Sequence, residues 1–155
     1  METDNNSSVQ GHSELAQIVA KHVAQIEPVL MYLEKSQDKN RALIYMIIDV
    51  RISLDELKNA YFANEDVLLK KVENLGASVD AFAETIDRRI ERRGTEIKKS
   101  NWRLIHKCSL KMQQLKLVKI ASKTNKMAAI YKSLTSSIEA LNDENLDEQQ
   151  IQIDE

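Results

Sequence analysis

One cysteine, one proline and three glycines in 155 residues narrow the architecture before any pattern is read. A lone Cys108 excludes an intramolecular disulfide framework and a zinc site built from several thiolates of one chain. Sheets and βαβ units reverse direction every few residues and draw on glycine and proline to do it, so this supply argues against both. Seven aromatics, two Phe, one Trp and four Tyr, are too few for a thick globular core. No apolar run approaches the roughly 20 residues needed to cross a bilayer; the longest, around Ala42–Ile48, ends at Asp49 and Arg51. The opening METDNNSSVQGHSE has neither the basic start nor the apolar stretch of a secretory signal. The second residue is not the glycine of a myristoylation site, and the ending IQIDE carries no prenylation cysteine. A reducing, cytoplasmic setting is the expectation.

The chain that remains is 43% hydrophobic and 30% charged, with a net charge of −2, and reads as all-α. Residues 1–12 are Asn/Ser-rich and are expected to be a disordered tail. Ser13 precedes Glu14-Leu15-Ala16 as an N-cap before an acidic first turn. A stripe follows through Ala16, Val19, Val23, Ile26, Leu30 and Leu33 at alternating spacings of three and four. Pro28 falls inside it, so a kink or local break near Gln25–Glu27 is expected. Ser36–Arg41 reads as a change of phase and not a loop. The stripe restarts at Leu43, Ile47, Val50, Leu54 and Leu57, then shifts near Asn64. It continues through Leu68, Val72, Leu75, Val79, Phe82, Ile86 and Ile90. Such a shift reads as a stutter that leaves a long helix unbroken.

Gly94, preceded by Arg88, Arg89, Arg92 and Arg93, reads as a helix stop, with Thr95 capping the next helix. These boundaries give helices over 13–37, 40–93 and 95–141, followed by an acidic tail over 142–155. The third helix has a Lys-interrupted seam through Ile97, Leu104, Cys108, Leu115 and Val118. A middle helix of about 50 residues would be about 75 Å long, so it either folds back on itself or pairs with another chain. The seam residues from Val19 to Ile86 are therefore the candidate surface for a partner helix, as coiled coil or as extended bundle.

Charge is divided sharply. Between Ile97 and Ile138 there is no acidic residue, while Lys99, Arg103, Lys107 and Lys111 recur every four residues. Lys116, Lys119, Lys123 and Lys126 follow at three and four. These stripes form a candidate docking surface with four readings. They are a solvated helix face, a dock for acidic segments of a partner or of this chain's own tail, a contact with an anionic membrane, or a grip on nucleic acid. The pI near 6.0 and the lack of interleaved aromatics place nucleic acid last.

Chemistry is not evident. His106 and Cys108 point to different helix faces, His22 and His12 have no visible partner, and the adjacent pairs Asp55-Glu56 and Glu65-Asp66 splay by about 100°. No phosphate loop, zinc-protease, nucleophile-elbow or calcium-loop motif is present. The expectation is a protein that is not an enzyme and carries no cofactor or metal.

The opening Leu15-Ala16 helix, the Ser36-Gln37 step and the heptads Leu43, Ile47, Val50, Leu54 and Leu57 resemble the small coiled-coil subunits, of snapin and pallidin type, of the complexes that build lysosome-related organelles and position lysosomes. The resemblance covers residues 14–60. The position of Pro28, the long basic third segment and the acidic tail depart from it. It implies a non-catalytic subunit of a cytosolic hetero-oligomer in endosome and lysosome traffic, peripheral on those membranes. A kinetochore, spindle or other cytoskeletal scaffold is an alternative, in which the basic helix would meet an acidic polymer surface. A monomeric helical bundle that covers its own seams and binds a lipid or small ligand is a third.

Overall fold

The structure, a computed structural model, describes residues 2–36, 40–99 and 104–154, with side chains described over 14–36, 40–99 and 107–147. Four helices follow one another: α1 (Glu2–Lys35), α2 (Arg41–Asn59), α3 (Glu65–Lys99) and α4 (Leu104–Asp154). Among the described residues there is no strand. The all-α expectation therefore holds, as a helical bundle.

Its register is read from side chains that meet across helices. His22 meets Ser133 and Tyr32 meets Lys123, so α1 and α4 run antiparallel. Arg51 reaches Glu27 and Glu34 across α1 and α2, and Ser53 meets Ser78 across α2 and α3. Gln114 donates to the Ile90 carbonyl across α3 and α4 at 3.2 Å. The result is an up-down-up-down bundle, the arrangement that short connections favour.

The long middle helix over 40–93 does not exist. At the phase shift the chain reverses: the Ala60 N–H bonds the Leu57 carbonyl and the Ala63 N–H bonds the Ala60 carbonyl, each at 3.0 Å. Asn64 then caps α3, its Oδ1 accepting from the Val67 N–H at 3.0 Å, ahead of the acidic pair Glu65 and Asp66. The reversal is closed by main-chain bonds and an Asn cap, so it needs neither glycine nor proline. The step at Ser36–Arg41 is likewise a helix boundary. α1 ends at Lys35, and Asn40, in an extended conformation, accepts from the Leu43 N–H to start α2. Gln37, Asp38 and Lys39 lie outside the described residues.

Other boundaries move too. α1 begins at Glu2, so residues 2–12, expected as a disordered tail, are helical and Ser13 lies within the helix instead of capping it. α1 also runs through Pro28, which faces solvent while Ile26, Val29 and Leu30 on either side of it are buried. α3 passes through Gly94 to Lys99, and Thr95 bonds back to the Glu91 carbonyl at 3.1 Å as an interior residue does. α4 continues through the expected acidic tail to Asp154.

The core is one cluster built from all four helices, with Ile26, Leu30, Leu54, Leu75, Phe82, Met127 and Leu134 fully enclosed. Each such side chain contributes about 1.5–3 kcal/mol by leaving water. Two polar side chains share that interior. His22 Nδ1 lies 2.7 Å from the Ile18 carbonyl, which can only accept, so Nδ1 carries the proton and Nε2 takes the Ser133 hydroxyl at 3.3 Å. Buried Thr124 donates to the Ile120 carbonyl at 2.7 Å.

Beyond Ile90 and Leu117 the register leaves α1 and α2 behind, and α3 and α4 continue as a two-helix extension. There the expected α4 seam is out of phase. Leu115 and Val118 are exposed and Cys108 faces solvent, whereas Leu110, Ile120, Met127 and Leu134 turn inward.

Candidate functional site

All sixteen residues proposed as a partner-helix seam, from Val19 to Ile86, are buried by this chain's own helices. They hold the bundle together and are not themselves open to a partner helix. What a partner or ligand can reach is therefore elsewhere.

One such place is the outer face of α1 and α2. Tyr45, Ile48 and Ile52 stand on α2 at helical spacing with 65%, 44% and 50% of their surface exposed. The antiparallel register fixed by Arg51 brings exposed Met31 of α1 level with them. Beside this patch runs an ion-pair ladder: Arg51 to Glu27 at 2.7 Å and Glu34 at 2.5 Å, and Lys58 to Glu27 at 2.6 Å. Partial burial pushes the Glu27 carboxyl up, but the bonds from Lys58 and Arg51 outweigh it and hold the group below the usual carboxylate range. The same bonds, chiefly to Glu34, hold the Arg51 guanidinium more firmly protonated than usual. Tyr61 at the far end of α2 has its phenol pushed up, by burial first and then by the charge of Glu27.

The second place is a cleft of about 560 Å³ lined from the end of α1, the start of α2, α3 and α4. Tyr32, Ser36, Asn40 and Leu43 line it from the end of α1 and the start of α2, and Arg89, Arg92 and Arg93 come from α3. Gln113, Lys116, Leu117, Lys119 and Ile120 come from α4. Among the described residues that line it, five are cationic and none is acidic. Arg93 is partnered by Glu96 at 3.0 Å. Arg89, Arg92 and Lys119 have no carboxylate within ion-pair distance among the described residues. Nearby, Lys123 lays its ammonium 4.9 Å from the centre of the Tyr32 ring, a cation–π contact that holds that wall.

The basic stripes read from the sequence are thus divided. Lys116 and Lys119 line the cleft, and Lys123 braces its edge. Lys99, Lys111 and Lys126 are exposed away from it, Lys107 is half-buried, and Arg103 lies outside the described residues. The three arginines that complete the cleft look, in sequence, like charges set against the end of a helix. Antiparallel pairing of α3 with α4 brings them opposite residues 113–120, and the reversal between the helices was the signal that could have placed them.

α3 and α4 approach each other tightly at Gly76, where a Cβ would overlap the Tyr131 ring tip. Burial first, and then the charges of Asp80 and Glu73, push the Tyr131 phenol up. The His106 side chain lies outside the described residues, and Cys108 is exposed. His22, for which the sequence shows no partner, is buried and bonded to Ile18 and Ser133, and no group of three His, Cys, Asp or Glu among the described residues could hold a metal. No helix among the described residues is long and apolar enough to cross a membrane.

No protein-family model, curated protein or solved structure matches the chain.

Proposed function

We propose that this chain is a non-catalytic scaffold subunit of a cytosolic hetero-oligomeric complex, of the kind that serves endosome and lysosome-related organelle traffic, and that it meets its protein partner through the outer face of α1 and α2. The observation that carries the reading is the exposed row Tyr45, Ile48 and Ile52 with Met31 level beside it. Apolar side chains at helical spacing, flanked by Arg41, Asp49 and Glu56, form the seam that a further helix would cover. The sequence resemblance over residues 14–60 ends on this same pair of helices.

The test is the native size of the tagged chain in cell extract, by size exclusion with light scattering. The wild type should elute in a complex larger than the purified chain, and the Ile48→Glu, Ile52→Glu double variant should elute alone with unchanged circular dichroism. A wild-type chain that is monomeric in extract overturns the reading. That result would favour a second reading, a self-contained bundle that binds a lipid or small ligand, which is supported by the burial of the whole seam within one chain.

A further inference from the structure

We propose that this chain associates head to tail with further copies of itself, the basic face of α4 in the two-helix extension receiving the acidic end of α4 from the next copy. The contact lies away from the outer face of α1 and α2 and does not rest on the function proposed for that face.

The first argument is a face that this chain leaves uncovered. Within the bundle α1 lies on the side of α4 that carries Lys123 to Tyr32 and Ser133 to His22. Met112 stands about three helical turns before Lys123, and Leu115 about five before Ser133, so both belong to that same side. α1 ends at Lys35, short of their level, and leaves Met112 and Leu115 64% and 63% exposed. Two large apolar side chains in the lane of a helix that has stopped are where another helix can resume the packing.

The second argument, charge, chooses the occupant. Between Ile97 and Ile138 the sequence has no carboxylate, the undescribed residues 100–106 included, so α4 surrounds Met112 and Leu115 with Lys107 and Lys111 alone of its charges before Lys116. α3 brings Glu91 and Glu96 to this level, the second bonded to Arg93, but also Arg92, Lys98 and Lys99. At the opposite end the sign reverses. Neither residues 1–20 nor residues 133–155 contain a lysine or arginine, whereas Glu139, Asp143, Glu144 and Asp147 are exposed on α4. Each end thus carries the charge that the other lacks, and such complementarity steers encounter and fixes orientation.

The third argument is that the acidic end also offers apolar contact. Glu139, Asp143 and Leu146 follow one another at spacings of four and three, on one helix face, and Leu146 is 61% exposed. The register of Gly76 on Tyr131 brings the α2–α3 turn, with Phe62 99% exposed, to about the level of Leu146. Leu146 is turned about 220° around α4 from Leu115. One self-complementary face cannot hold both, which disfavours a two-fold pair. The contact is heterologous, and it leaves one basic and one acidic end open for further copies.

The experiment is sedimentation velocity of the purified full chain over a range of concentrations, at about 20 mM and about 500 mM salt, where charges are felt over about 20 Å and about 4 Å. At low salt the wild type should grow past a dimer as concentration rises, and at high salt it should return towards monomer. Lys107→Gln with Lys111→Gln, and Glu139→Gln with Asp143→Asn, should each weaken association about tenfold. Mixed together, these two variants keep one sound end apiece and should form a dimer and nothing larger. Met112→Ser with Leu115→Ser should weaken association too, with unchanged circular dichroism. Lys21→Gln with Lys132→Gln, of the same net charge as the first variant, should associate as the wild type does, and so should Ile48→Glu with Ile52→Glu. A wild type that stays monomeric at low salt, or stops at a dimer, overturns the proposal. So does association that survives neutralisation of either end, or that falls equally in the Lys21, Lys132 variant, which would show diffuse attraction. Loss through Ile48 and Ile52 would move the self-contact to the outer face of α1 and α2 and overturn it as well. These runs use the isolated chain, while the extract measurement reads a complex with another protein, so either can fail without the other.

Discussion

The four-helix part and the two-helix extension are made from the same helices but obey different rules. In the four-helix part the seam from Val19 to Ile86 is buried among its own helices, and the buried polar residues His22 and Thr124 are bonded within the interior. In the extension Leu110 and the bond from Gln114 to the Ile90 carbonyl stand out, while Met112 and Leu115 face water among lysines. The first region encloses a continuous core and keeps one apolar row, Tyr45, Ile48 and Ile52, on its outside, whereas the second has little interior of its own. Two glycines, one in each region, report the difference. Gly76 is buried beneath the Tyr131 ring, whereas Gly94 has nothing within 4 Å of where a Cβ would stand.

The largest expected effect is at the packed glycine. Alanine at position 76 gains about 1 kcal/mol of helix propensity but drives its methyl into Tyr131 Oη, Cζ and Cε1, all tip atoms of a rigid ring wedged between α3 and α4. Overpacking of this kind costs about 1–3 kcal/mol, so Gly76→Ala should lower the urea midpoint. In a Tyr131→Ala background the same change should be neutral or stabilising. A Gly76→Ala protein that is more stable than wild type would erase the distinction between the two regions.

How far the sequence alone could reveal that distinction depends on what encodes each part. The core stripe from Val19 to Ile86 was legible residue by residue, because burial on one helix face repeats every three or four positions whatever the partner. The fold-back at 60–64 was not. Its turn is closed by main-chain bonds at Leu57 and Ala60 and by the Asn64 cap, and an apolar phase shift looks the same whether a helix stutters or ends. Gly94 misled in the opposite sense, since Thr95 and the Arg93–Glu96 pair continue the helix through it. The α4 seam was misphased because Leu115 and Val118 are as apolar as the residues that turn inward. The lysines of the cleft were visible as a stripe, but its arginines belong to another helix and join them only through the tertiary reversal.

An intermediate effect is expected at the edge of the four-helix part, in the Arg51 ladder. Glu27 has its carboxyl lowered in the folded protein, so its contribution to stability is present above the unfolded pKa and is lost as pH falls through the folded one. Glu27→Gln should therefore cost about 1 kcal/mol at neutral pH, in line with a partly exposed network. The gap between variant and wild type should close as the medium is acidified below the ordinary carboxylate range. Urea titrations at several pH values measure both; a gap that widens in acid would mean that burial, and not Lys58 and Arg51, governs this group.

The smallest effect is expected at Gly94 and has the opposite sign to that at Gly76. Its backbone is helical, its neighbours Arg93 and Glu96 pair across it, and open space surrounds the missing methyl. Nothing in the folded state then opposes alanine, while the unfolded chain loses conformational freedom, so Gly94→Ala should stabilise by about 0.5–1 kcal/mol. The gain belongs to the extension, so amide exchange over 92–99 should slow more than exchange in the core of α1 or α2. Uniform slowing along the chain would mean that the extension and the bundle unfold as one unit. Local slowing would establish the extension as a separately yielding element that carries the Arg92 and Arg93 wall of the cleft.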